Sequence, residues 1–66
     1  MVLAYREAVI RNKAITYTKI LNPDRTRGYW VEVVNRKGEI EQSYLYDNFK
    51  RALLGFHNMM INVKYS

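Results

Sequence analysis

Two adjacent cations, Lys50 and Arg51, follow the Asp47-Asn48 pair where a helical pattern begins. A helix N-terminus carries a partial positive charge from its aligned peptide dipoles, so cations in the first turn are mildly repelled unless an anion offsets them. Upstream, Arg25 and Arg27 sit in a turn signal, and a second set, Arg11, Lys13, Arg36 and Lys37, flanks two other breaks in the chain. Guanidinium and ammonium groups beside free backbone N–H groups suit phosphate or carboxylate binding, because dipole and charge then act together. Tyr17, Tyr29, Trp30, Tyr44 and Tyr46 fall among these cations. Aromatic rings on a sheet can stack on bases while basic groups hold phosphates, although strands also use aromatics for packing.

The same inventory offers little for catalysis. His57 is the only histidine and there is no cysteine, so one chain can assemble neither a Cys/His pair nor a His-rich metal site. His57 flanks the apolar stripe of the last helix and reads as a boundary histidine. Glu39 and Glu41 read as two solvated charges on a strand rather than as an acid/base pair. No glycine-rich phosphate loop occurs. The expectation is a non-catalytic protein with no metal and no cofactor.

Sixty-six residues make a single domain (1–66), and a chain of this size buries only about 60% of the surface its unfolded form exposes. Without cysteines, the remaining supports are a well-packed core or oligomerisation, which makes a homodimer an expectation. The 48% apolar and 14% aromatic content is too rich for a disordered chain. Net charge is +5, with eight Lys/Arg in residues 1–38 against Glu7, Asp24 and Glu32. A basic surplus suits a polyanion such as nucleic acid. No apolar run approaches the roughly 18 residues of a membrane span, and Arg6 and Glu7 interrupt the only place for a signal-peptide core. A cytoplasmic chain without membrane contact is the default, and its start at Met1 without a tag reads as a complete small protein.

The first segment, VLAYREAVIRN, is rich in good helix formers, and Val2, Tyr5 and Val9 share a helical stripe, which predicts a helix over about 2–12. AITYTKIL is dense in β-branched and aromatic residues, and NPDRTRG supplies a type I turn with Pro23 at its second position. Strands are predicted over about 14–21, 29–35 and 39–46. Asn35 to Gly38 fits a type I turn followed by a left-handed glycine, the three-residue hairpin with a G1 bulge. That turn pairs Val34 with Ile40 and, in regular register, Trp30 with Tyr44. One face would carry Trp30, Glu32, Val34, Ile40, Gln42, Tyr44 and Tyr46, the other Tyr29, Val31, Val33, Glu39, Glu41, Ser43 and Leu45.

Asp47 or Asn48 is a suitable cap for a helix over about 48–64. Phe49, Ala52, Leu53, Phe56, Met59, Met60 and Val63 repeat at three- and four-residue spacing and form its core stripe. Leu54, Ile61 and Tyr65 lie nearly opposite and form a second apolar stripe suited to a partner. The predicted fold is α+β: helix, three-stranded antiparallel meander, helix, with the sheet packed on the C-terminal helix. A meander places Arg25, Arg27, Lys50 and Arg51 at one end of the sheet, and Arg11, Lys13, Arg36 and Lys37 at the other.

The stretch Gly28 to Ala52, with G-Y-W in a strand, a turn ending in Gly38, Y-L-Y closing a strand and D-N-F-K-R-A opening a helix, resembles the arm-type DNA-binding domain of tyrosine-recombinase integrases. The resemblance covers about 25 of 66 residues. It implies a three-stranded sheet against one helix, laid in the major groove. It also implies Leu45 and Ala52 in the core, Asp47 as helix cap, and Trp30, Glu32, Gln42 and Tyr44 as reading surface. Glu39 and Glu41 stand where that family tends to carry basic residues.

The functional expectation is a small regulatory or accessory nucleic-acid-binding protein. Arg25, Arg27, Lys50 and Arg51 would hold phosphates, Arg11, Lys13, Arg36 and Lys37 would form a second contact region, and Trp30 and Tyr44 would touch bases. The alternative is a protein–protein interaction module, such as a small inhibitor or adaptor of a larger protein, using Leu54, Ile61 and Tyr65. A subunit that only assembles with itself would use the same surfaces.

Overall fold

A computed structural model describes residues 1–66. Four strands, β1 (Val2–Ile10), β2 (Lys13–Leu21), β3 (Arg27–Val34) and β4 (Ile40–Tyr46), form one antiparallel meander in the order β1-β2-β3-β4. A single helix, α1 (Phe49–Tyr65), follows and packs mainly on β2 and β3. The fold is α+β, but the predicted helix–three-strand–helix order is wrong: residues 2–10 are a strand and the sheet has four strands.

The reason lies in what β2 must bury. Ile15 is fully buried and Tyr17 nearly so, and a strand this apolar needs a neighbour on each side to satisfy its backbone groups. β1 supplies one of them. Its good helix formers give way to pairing with β2, because local propensity is small against tertiary context. Alternation is visible once register is known. Arg6, Ala8 and Ile10 pair with Tyr17, Ile15 and Lys13, while Tyr5, Glu7 and Val9 point to the opposite face. Arg11 and Asn12 turn the chain with φ of 53° and 64°, the signature of a two-residue type I′ hairpin.

The other two turns share one design. In Asn35–Glu39, the Gly38 amide donates to the Asn35 carbonyl at 3.0 Å, the Asn35 amide donates to the Glu39 carbonyl at 2.9 Å, and Gly38 has φ 82°. This is the turn expected from sequence. In Asn22–Thr26 the equivalent bonds run from the Arg25 amide to the Asn22 carbonyl and from the Asn22 amide to the Thr26 carbonyl, both 2.9 Å. Arg25, with φ 70°, occupies the left-handed position that Gly38 holds in the other turn.

Val34 pairs with Ile40 as predicted, but the next pair is Val33 with Gln42, which leaves Glu41 as an extra residue in β4. This bulge shifts the rest of β4 by one residue. Trp30 therefore pairs with Leu45, and Val31 with Tyr44, so the predicted face assignment of β4 beyond the bulge is reversed. Tyr44 and Tyr46 belong to the face of Tyr29 and Val31, whereas Ser43 and Leu45 belong to the face of Trp30 and Glu32.

One face is the core. Ile15, Tyr17, Tyr29, Val31 and Val33 meet Ala52, Phe56, Met59 and Val63 of α1. Tyr17 stands edge-on to Phe56 with ring centroids 6.3 Å apart and lies stacked near Tyr29. Of the predicted helical stripe, Ala52, Phe56, Met59 and Val63 are buried, Leu53 and Met60 are partly buried, and Phe49 at its start is half exposed. Gly55 answers to Tyr46, since a Cβ there would lie 2.7 Å from the Tyr46 Cζ atom. The opposite face has no cover. Across it run three rows, Val9-Ala14-Val34-Ile40, Glu7-Thr16-Glu32-Ser43 and Tyr5-Thr18-Trp30-Leu45. No helix precedes the sheet to cover it, because the residues predicted as a helix over about 2–12 form β1 and its turn.

Candidate functional site

The antiparallel meander carries the end of β4 back to the start of β3, where Tyr46 pairs with Tyr29. The turn Asn22–Thr26 and the first turn of α1 therefore share one end of the sheet, as the sequence predicted. A cleft of about 550 Å³ opens there, lined by Arg27, Arg51, Trp30, Asn22, Gly28 and Asp47 among others. It joins the edge of the uncovered face to the helix start. Gly28 keeps it open, because a Cβ would approach both Ile20 Cγ1 and Leu45 Cδ1 to 3.3 Å.

The side chains of Arg25, Arg27, Lys50 and Arg51 make no hydrogen bond or ion pair within the protein; the one ion pair joins Lys13 to Glu41. Asp24 forms no ion pair with any of these cations. Its Oδ1 accepts from the Thr26 amide at 3.0 Å and from the Thr26 hydroxyl at 2.5 Å, and the hydroxyl bond holds its carboxyl below the ordinary value. Asn48, not Asp47, caps the helix. Its Oδ1 accepts from the amides of Lys50 at 2.8 Å and Arg51 at 3.3 Å. Two amides expected to be free for an anion are thereby occupied, so ligand charge at this end would be met by side chains.

The second predicted group divides in two. Arg11, Lys13, Arg36 and Lys37 do line one hollow, with Asn12, Asn35 and Glu39. Two of them are engaged internally. The Arg11 Nη1 atom donates to the main-chain oxygen of Ser66 at 2.8 Å, and to that of Lys64 at 3.5 Å, at the C-terminal end of α1, where a cation is favourable. The Lys13 Nζ atom donates to Glu41 Oε1 at 2.7 Å, which is the main cause holding the Glu41 carboxyl below its ordinary value. Arg36 and Lys37 alone remain unpaired there. The β4 bulge thus has a role, since it brings Glu41 to Lys13.

Trp30 and Tyr44 lie on opposite faces. Trp30 is on the uncovered face at the cleft, and Tyr44 is half exposed on the helix side of β4. Of the roles implied by the family resemblance, Ala52 is buried as expected. Leu45 is exposed, Asp47 is not the cap, and Gln42 and Tyr44 do not share the face of Trp30 and Glu32. Leu54, Ile61 and Tyr65 are all exposed on the outer side of α1.

Sequence reasoning missed three features. Tyr5, Glu7 and Val9 on the uncovered face were hidden by the helical reading of the first segment; the Arg11-Asn12 pair between two β-branched runs was the signal for a hairpin. Arg6 and Lys19 line a crevice beside Phe49 and Leu53 on the helix side of the sheet, with Lys19 Nζ 5.9 Å from the Tyr29 ring centroid. The strained placement of Arg25 required the turn to be recognised as a twin of the Asn35–Glu39 turn. No helix is long and apolar enough to cross a membrane. Comparison with family models, curated proteins and solved structures finds no match to this chain.

Proposed function

We propose that the protein binds single-stranded nucleic acid, without catalysis, at the end of the sheet that carries Arg25, Arg27, Lys50 and Arg51. The observation that carries this reading is the cleft in which Arg27 and Arg51 line the same walls as Trp30. Two guanidinium groups can each fork onto a phosphate, and an indole offers a stacking surface for an unpaired base. Arg25 supports it. A non-glycine residue in the left-handed region is costly, and such an outlier with no internal partner is what a functional demand on the side chain would leave. The uncovered sheet face as a whole is a poor duplex reader, since its only charged side chains are Glu7 and Glu32, and carboxylates oppose a phosphate backbone.

Fluorescence anisotropy of labelled single-stranded DNA, RNA and duplex DNA across a salt series tests the proposal. Single strands are expected to bind better than duplex. A log–log salt slope of about −3 would correspond to roughly four neutralised single-strand phosphates. Arg27→Glu with Arg51→Glu is expected to abolish binding, and absence of binding by the wild-type protein at low salt would refute the reading. Arg25→Gly separates function from folding: it relieves the left-handed strain, raising stability by about 1 kcal/mol, while weakening single-strand binding. A thermal melt and the same titration read both effects.

A further inference from the structure

The molecule presents two unpartnered apolar surfaces on opposite sides, and their charges are complementary. On the uncovered sheet face, Tyr5, Val9, Ile40 and Leu45 are each more than half exposed, and the only charged groups among them are Glu7 and Glu32. On the outer side of α1, Leu54, Ile61 and Tyr65 are likewise more than half exposed. The helix contains Lys50, Arg51 and Lys64 and no carboxylate. At 100° per residue Lys50 lies on the same side as Leu54 and Ile61, with Arg51 and Lys64 flanking it.

We propose that the occupant of the uncovered sheet face is the outer face of α1 from a second copy of this chain, in a head-to-tail contact. Charge decides between the ways two copies could meet. A symmetric sheet-to-sheet dimer would bring Glu7 and Glu32 of both copies into one apolar layer, where unpaired like charges are costly. A symmetric helix-to-helix dimer would set cations against cations. Only the helix-on-sheet arrangement places cations opposite carboxylates while covering both apolar surfaces. Dimensions agree. A 17-residue helix is about 25 Å long, and strands of seven to nine residues run about 23–30 Å. The contact would repeat between molecules the helix-on-sheet layering that each molecule already uses within itself. Because donor and acceptor surfaces differ, each copy in a chain leaves one of each unsatisfied, and assembly continues beyond two unless the rotation closes a ring.

The two surfaces border the cation cleft, which Trp30, Leu45 and Arg51 also line, but the inference does not rest on the nucleic-acid reading and its test uses the protein alone. Sedimentation velocity of the protein alone over a wide concentration range is expected to show species growing past the dimer, with association weakened by salt. Leu54→Asp with Ile61→Asp blocks the helix surface, and Val9→Asp with Ile40→Asp blocks the sheet surface. All four positions are exposed, and circular dichroism checks that both variants fold; Glu7→Lys with Glu32→Lys replaces the sheet variant should it not. Each variant alone is expected to associate at least tenfold more weakly than wild type. Mixed one to one, they are expected to form a heterodimer that grows no further, because the intact sheet of one receives the intact helix of the other. A wild-type protein that stays monomeric at millimolar concentration, a variant that still self-associates like wild type, or a mixture that gives no heterodimer would each overturn the proposal.

Discussion

The two faces of the sheet are built from the same four strands yet follow different rules. Beneath α1, Ile15 and Val31 are 0% exposed; on the other face Val9 is 70% exposed and Ile40 59%. Alternation along each strand delivers both outcomes from one stretch of sequence, so β-propensity alone says nothing about which face carries stability. The helix decides. Its stripe of Ala52, Phe56, Met59 and Val63 selects one face as core and leaves the other free to be apolar for reasons unrelated to the folding of one molecule.

The contrast should be largest in side-chain truncation. Ile15→Ala on the covered face is expected to cost about 2–5 kcal/mol, whereas Val9→Ala on the open face should stay within about 0.5 kcal/mol of wild type; chemical denaturation at a protein concentration too low for self-association compares them directly. If the two cost the same in the monomer, the open face is packed within one molecule and the contrast between the faces fails.

Next in size is Gly55→Ala. On an unpacked helix surface the change would stabilise by about 1 kcal/mol. Here the new methyl group meets the Tyr46 ring, so a net loss of about 1–3 kcal/mol is expected from overpacking. In a Tyr46→Ala background the sign should revert to stabilising, which a double-mutant cycle measures.

A smaller effect separates the faces by pH. Burial, with the Tyr29 phenol adding to it and Arg6 opposing, pushes the Tyr17 phenol above its ordinary value. In the unfolded chain that phenol titrates near pH 10, and the folded form holds its proton to higher pH. Its contribution is therefore complete below about pH 10 and is lost as pH rises through the folded value. Tyr17→Phe should flatten this alkaline loss in melts between about pH 9 and 11.

The smallest effect belongs to Lys13 and Glu41 at the rim of the sheet. The Glu41 carboxyl is held below its ordinary value by the Lys13 ammonium, so its contribution is present above about pH 4.3 and is lost as pH falls through the depressed value. Lys13→Met should remove that acid-side slope and little else.

How far the sequence could be read follows from the range of the interactions involved. The helix over residues 49–65 and its core stripe were legible because a 3.6-residue repeat is local, and the Asn35–Glu39 turn because a left-handed glycine is local. The first strand was not. Ala4, Arg6, Glu7 and Ala8 favour a helix on their own, and their pairing with β2 is decided by partners seven to fifteen residues away. The bulge at Glu41 was equally hidden, since a single unpaired residue leaves no compositional mark yet exchanges Tyr44 for Leu45 opposite Trp30. The cation groups were located correctly by topology alone, because any antiparallel meander brings the β2–β3 turn to the start of the helix. Which of those cations are engaged within the protein was beyond reach: Arg11 and Lys13 find partners more than twenty-five residues distant, Arg11 at Lys64 and Ser66, Lys13 at Glu41.

The position of α1 is fixed from both ends of the chain. Tyr46, the last residue of the sheet, fits the notch at Gly55, while Arg11, from the first hairpin turn, holds the oxygens of Lys64 and Ser66. For folding kinetics this has a direct meaning. Every strand pairs with its neighbour in sequence, so the sheet can grow hairpin by hairpin on the microsecond scale of such elements. The helix contacts made by Arg11 and Tyr46 form only once the first turn and the last strand are both in place. Full docking of the helix is then the closing step that reads whether the whole meander has formed, and substitutions at Gly55 or Arg11 should speed unfolding far more than they slow folding.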